Sequence, residues 1–185
     1  MEILKLNENN VCETIENIIK NQEEKIVYGI PSNFGVFSGN NSLNFNFCKR
    51  NNINIMKFPN EGGVIVVGKD DFDIGFFSKN LDYKFNEKLA IDILEFLKSK
   101  GLNAELYGND FVIDKMFKCG SFSSRKYGNL LYSAFHISIN VNLPLIESVC
   151  IKPMTKIPKG LKDFGIKTEE IKNIFMNFLN KENLI

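Results

Sequence analysis

A chain of 185 residues, 44% hydrophobic and 24% charged, is long enough for one domain with a substantial core and has an ordinary globular composition. Its net charge of +1 argues against the broad phosphate-neutralising surface that dominates nucleic-acid affinity, and no apolar run approaches the length of a membrane span. The opening Met1-Glu2-Ile3-Leu4-Lys5 lacks the basic and then apolar run of a signal peptide. Four scattered cysteines (Cys12, Cys48, Cys119, Cys150) and a single histidine, His136, predict reduced thiols, no metal centre and a cytoplasmic location.

Val11, Ile15, Ile18 and Ile19 fall at helical spacing over residues 11–22, with Asn10 placed to cap. Lys25–Gly29 reads as a strand. Residues 40–51 read as a short helix with Leu43 and Phe47 inward, and Ile53, Ile55 and Phe58 open the next strand. The β-branched run Gly63–Gly68 suits a buried strand, with Asp73–Phe77 as its antiparallel partner. Residues 85–100 give the clearest helix, striped by Phe85, Leu89, Ile93, Phe96 and Leu97 and stopped by Gly101. A strand near 103–107 leads into a hairpin over 109–123. Residues 130–142 read as a long strand, 143–149 as a short helix and 152–165 as a loop or extended segment. The last helix runs from about 169 to 180, with Thr168 as its cap and Glu169 and Glu170 in its first turn. This alternation implies an α+β domain with a mixed, mostly antiparallel sheet flanked by helices.

The hairpin Asn109-Asp110-Phe111-Val112-Ile113-Asp114-Lys115-Met116-Phe117-Lys118-Cys119-Gly120 resembles the one that carries the catalytic lysine in the lipoate- and biotin-protein ligase superfamily. Asn-Asp opens that hairpin, and its lysine lies three residues before a glycine. Asn109, Asp110 and Gly120 match, the lysine position holds Phe117, and Lys115 and Lys118 flank it. Further segments match in order. Val27–Asn33 resembles the segment before the first substrate-contacting loop. Phe47–Met56 resembles the helix and strand that lead to the ligand loop. That loop's two arginines and Thr-Gly-Gly-Gly become Lys57-Phe58-Pro59-Asn60-Glu61-Gly62-Gly63. The strand after the hairpin has Ala134 and Phe135 at the family's His-Gly pair, with His136 offset. Ile151-Lys152-Pro153, Lys159–Lys162 and the helix after Thr168 resemble the end of the family's catalytic domain.

The resemblance implies a fold related to class II tRNA synthetases, as one catalytic-type domain over 1–185 without an accessory C-terminal domain or a DNA-binding domain. It implies ATP and Mg, with lipoate, octanoate or biotin as substrate, and a lipoyl- or biotinyl-carrier domain as partner. A second subunit that completes the site is compatible with it. Lys118 or Lys115 would carry the catalytic charge, and Lys57, Gly62, Gly63, Asn109 and Gly120 would line the ligand and cofactor site. A lysine aimed at the phosphate stabilises developing charge, and glycines let backbone N–H groups approach it. Lys118 faces the ligand only if a one-residue bulge re-aims it. Asn109 is equally a turn residue after Gly108, and Gly62 and Gly63 equally a turn between strands. Two other readings stand beside the ligase: a non-catalytic paralogue that binds a ligand or carrier, and a cysteine-dependent acyltransferase using Cys119 or Cys150. His136, in an apolar strand, reads as a structural histidine.

Overall fold

The computed structural model describes residues 1–6, 10–33, 35–38, 42–57, 64–152 and 154–185. Strands β1 (Glu2–Lys5), β2 (Lys25–Gly29), β6 (Phe72–Ser78), β10 (Leu130–Ile137), β9 (Phe117–Tyr127), β8 (Asp110–Ile113) and β7 (Ala104–Tyr107) lie in that order in one sheet, and β11 (Ile157–Pro158) joins beside β9. All pairs are antiparallel except β1–β2 and β9–β11. A second sheet holds β4 (Asn54–Lys57), β3 (Gly35–Ser38) and β5 (Val64–Val67). The expected mixed, mostly antiparallel sheet is present. β5 pairs with β3, however, and β6 with β2 and β10, so Asp73–Phe77 is not the partner of the 63–68 run.

Alternation along the large sheet makes two faces. Ile26, Phe72, Ile74, Phe76, Phe111, Phe135 and Ile137 face α3 (Tyr83–Ser99) and α5 (Thr168–Lys181), which supply Phe85, Leu89, Ile93, Ile171, Phe175 and Phe178 to the main core. Phenylalanine rings interlock there: Phe76–Phe85 centroids are 4.9 Å apart, Phe72–Phe175 5.1 Å and Phe85–Phe178 5.2 Å. On the opposite face α1 (Val11–Asn21) sets Val11, Ile15 and Ile18 against Val27, Phe77, Leu130 and Tyr132. The small sheet has its own core with α2 (Phe45–Arg50) and α4 (Leu143–Val149), around Val36, Leu43, Cys48 and Val149. Ile55 packs into that core whereas Met56 packs against the α1 cluster. One face of the small sheet is therefore turned toward the α1 side of the large sheet.

Several boundaries differ from expectation for local reasons. α5 starts one residue early: Lys167 is its cap, and Lys167 N donates to Glu170 Oε2 at 3.0 Å. The Thr168 hydroxyl is committed elsewhere, to Asp70 O at 2.6 Å. Asn10 stands at the start of α1 but contributes its carbonyl, which accepts from Thr14 N, rather than a side-chain cap. α2 is shorter than 40–51 because Asn44 caps it, accepting from Phe47 N, while Leu43 bridges to Cys150. β10 ends at Ile137 because the Ile139 and Asn140 amides turn onto Asp71.

Candidate active site

Strand register places a row of polar positions across the α1 face of the large sheet. Gly29 pairs with Asp73, Asp73 with His136, His136 with Ser121, and Ser121 with Asp110. With strands about 4.8 Å apart, this row crosses five strands and about 19 Å. The level two residues away, Val27, Gly75, Ala134 and Ser123, is largely small or apolar, and the next contains Phe77 and Tyr132 beneath α1. α1 thus seals one end of this face and leaves the polar row toward the other. A Cβ at Gly29 would meet nothing within 4 Å, so the row opens to space there.

The hairpin sends a cation onto this row. Phe111 pairs with Gly120, but Val112 pairs with Lys118, so Cys119 is the extra residue of a β-bulge. The bulge flips the side-chain parity of what precedes it. Lys118 shares the face of Val112 and Asp110, and its Nζ lies 2.7 Å from Asp110 Oδ1 with 37% of the side chain exposed. Phe117 turns instead to the main core, and the Lys159 ammonium lies 4.4 Å from its ring centroid. Cys119 is buried, and its thiol donates to Phe111 O. Burial pushes that thiol up to about 12, a setting that disfavours a thiolate nucleophile.

His136 is 7% exposed and held on both ring nitrogens. Nδ1 lies 2.8 Å from Asp73 Oδ1, and Nε2 lies 3.0 Å from Ser138 Oγ and 3.9 Å from Asp71 Oδ2. A carboxylate only accepts, which assigns the proton to Nδ1. Burial alone would hold the imidazole low, but Asp73, through charge and hydrogen bond, and then Asp71 raise it above the ordinary histidine range. Asp71 is fully buried. Its Oδ1 accepts from Ile139 N (2.6 Å) and Asn140 N (3.0 Å), and its Oδ2 from Gly68 N (2.6 Å). Burial pushes this carboxyl up to about 6, against the opposing pull of His136 and the three amides.

These shifts have one sign for stability. A folded pKa above the unfolded value means that the folded state holds the proton more tightly. Stability should therefore fall as pH rises through about 6, where Asp71 ionises, and fall further as pH passes the raised value of His136. The lowered Glu24 and Glu170 carboxylates act the opposite way, but only in the acid range below their ordinary value. Urea midpoints measured from pH 5 upward should decline, with the higher-pH part of the slope missing in His136→Gln. A midpoint that climbs across this range would refute the assignment.

The remaining expected site residues are spread along the same hairpin and the small sheet. Lys115 is exposed at the hairpin tip, where Asp114 and Lys115 both take positive φ (53° and 60°), and its carbonyl accepts from Lys156 Nζ. Asn109 is exposed in the β7–β8 turn after Gly108 (φ 61°), and its carbonyl accepts from Phe122 N. Gly120 lets β9 approach β10, because a Cβ there would lie 2.6 Å from His136 O. Lys57 closes β4, paired with Ser38. Gly62 and Gly63, with Phe58 and Glu61, lie outside the described residues. Cys150 is partly exposed and bridges to Leu43. Among the described residues no group of three or more His, Cys, Asp or Glu could hold a metal ion. Sequence reasoning missed Asp71, Asp73 and Ser138. Their signal was there: two aspartates at alternate positions leading into an aromatic strand.

No family model matches the chain and no curated protein matches it. Solved structures do. A bi-partite lipoate protein ligase from Thermoplasma acidophilum, described with its E2 lipoyl domain, is 14% identical with a TM-score of 0.78 over 97% of this chain and 82% of that one. A lipoate-protein ligase A bound with ATP is 15% identical with a TM-score of 0.78, covering 97% and 84%. A biotin protein ligase from Aquifex aeolicus is 10% identical with a TM-score of 0.57, covering 98% and 68%. The fold of this chain is that of the lipoate- and biotin-protein ligases.

Proposed function

We propose that the protein is a lipoate-protein-ligase-like enzyme that activates an acyl carboxylate with ATP and passes the acyl group to a lysine of a lipoyl-type carrier domain. The observation that carries this reading is the Cys119 bulge, which turns Lys118 onto the polar row although the lysine column holds Phe117. In the first step a carboxylate oxygen attacks the α-phosphorus of ATP and pyrophosphate leaves. In the second, the carrier amine attacks the acyl carbonyl and AMP leaves. Both steps build negative charge, and the Lys118 ammonium is a group on this face that can stabilise it. The raised His136 imidazole adds a second cationic group one strand from Ser121. Lipoate is the favoured acid, with octanoate and biotin as alternatives, because the lipoate ligases match this fold at higher TM-scores than the biotin ligase does. Mg2+ would come bound to the ATP phosphates. Lys57, Gly62, Gly63 and Asn109 are proposed to complete the ligand contacts. A second chain that completes the site fits the bi-partite ligase with which the fold agrees. Among the described residues no helix is long and apolar enough to cross a membrane, and a cytoplasmic location is proposed.

One observation favours a binding paralogue instead. Lys118 is already paired with Asp110, which competes with any anion for the ammonium. Pyrophosphate exchange into ATP, with lipoate, octanoate and biotin offered separately, decides between them. Exchange with one acid establishes adenylation and names the substrate. Saturable acid binding without exchange, in the presence of a lipoyl domain and of candidate partner chains, establishes the paralogue.

A further inference from the structure

β10 leaves the sheet as His136-Ile137-Ser138, so His136 and Ser138 emerge on the same side, two residues apart. The Ser138 Oγ, His136 Nε2, His136 Nδ1 and Asp73 Oδ1 atoms form a continuous hydrogen-bonded line, with links of 3.0 Å and 2.8 Å across the ring. Once the pH exceeds the raised value of His136 the ring is neutral with its proton on Nδ1, and Nε2 is then the acceptor for the serine hydroxyl. This is the nucleophile, base and orienting carboxylate of acyl-transfer chemistry, recognised by geometry and roles rather than by sequence order.

The surroundings fit that use. Ser138 is partly exposed while the histidine is buried. The serine backbone is fixed on both sides: its N–H donates to Cys119 O and its carbonyl accepts from Leu161 N, both at 2.9 Å. Asp71 Oδ2, 3.9 Å from Nε2, stabilises the imidazolium that forms when the hydroxyl gives up its proton. Lys118, on the same face and paired with Asp110, is near enough for its charge to act on the ring. The row opens at Gly29, beside Asp73.

We propose that Ser138 is an acyl-accepting nucleophile, activated by His136 and oriented by Asp73, that takes an aliphatic acyl group from a thioester or ester without ATP. Ser138 Oγ attacks the acyl carbonyl as its proton passes to His136 Nε2. The thiolate or alkoxide leaves with that proton, giving the Ser138 ester. An amine or water then attacks the ester, His136 takes the incoming proton, and the serine hydroxyl is restored. This activity stands on the Ser138–His136–Asp73 geometry alone and does not depend on adenylation.

The test uses the full chain without ATP. The protein is treated with a fluorophosphonate and, separately, with p-nitrophenyl octanoate at mildly alkaline pH, followed by intact-mass measurement and peptide mapping. One covalent adduct on Ser138 and a release of p-nitrophenolate are expected. Ser138→Ala should abolish both, and His136→Gln should slow labelling roughly a hundredfold, the scale of a lost general base. The wild-type adduct is the primary readout, so the test does not hinge on a variant that fails to fold. Absence of an adduct on Ser138 in folded wild-type protein overturns the proposal. So does labelling of a folded His136→Gln variant at the wild-type rate, which would leave Ser138 an ordinary hydroxyl. Pyrophosphate exchange succeeds or fails separately, so the two readings cannot be mistaken for each other.

Discussion

Lys118→Ala is expected to lower acyl-adenylate formation roughly 100- to 1,000-fold, the scale seen when one preorganised group facing developing charge is removed. Stability should hardly change, because a partly exposed ion pair contributes little. Lys118→Arg should recover only part of the rate, since a guanidinium is wider and its donors fan out differently. Lys115→Ala, at the hairpin tip, should remain close to wild type. Asp110→Asn releases the ammonium and should tighten binding of an anionic acid or nucleotide. Single-turnover formation of the adenylate measures all four. An unchanged rate in Lys118→Ala would remove the lysine from the mechanism, and with it the reason for reading the bulge as functional.

Asp71→Ala is expected to be among the most destabilising polar substitutions in the described chain, at about 3–5 kcal/mol near neutral pH. Three backbone N–H groups, of Gly68, Ile139 and Asn140, would lose their acceptor in a place with no exposed surface. The same turn is held by Asp70, whose N–H donates to Pro31 O and whose carbonyl accepts from Thr168 Oγ1. Loss of Asp71 therefore loosens the exits of β2 and β10 and the start of α5 together. A fall in melting temperature on the order of 10 °C follows for a domain of this size. Asp71→Asn should fall between, because its amide keeps one acceptor and presents a donor where a second is needed. A change below about 1 kcal/mol in Asp71→Ala would mean that water replaces the carboxylate and that the site is wetter than its burial indicates.

Much of the architecture was legible because it is local. The stripe Phe85, Leu89, Ile93 and Leu97 needed only helical spacing, and Gly101, at φ 80°, supplied the stop. Pairing between distant strands was not legible. The run at 64–67 and the aromatic strand at 72–78 are joined by a short turn and look like a hairpin, yet their register partners lie far away in sequence. β1 and β3 carry too few residues to show alternation. At the site, the hairpin and its two lysines were visible, and the condition for using Lys118, a bulge, was visible as a condition. Whether the bulge exists depends on how Cys119 packs beneath Phe111, which is a tertiary matter. The polar row was invisible for the same reason. Its five members come from five strands and meet only through register.

Cys119 also gives the chain a built-in clock. Cys119 is 1% exposed and its thiol resists ionisation, so an alkylating reagent reaches it only when the hairpin parts from the core. Cys12 and Cys150 are partly exposed and would react early, setting the zero of the measurement. The delay before Cys119 reacts under native conditions is then the opening free energy of one particular hairpin, read without any introduced label. Because the same residue forms the bulge, that free energy is also the cost of opening the turn that sets Lys118 beside Asp110. A ligand that grips the lysine should lengthen the delay by the factor 1 + [L]/Kd.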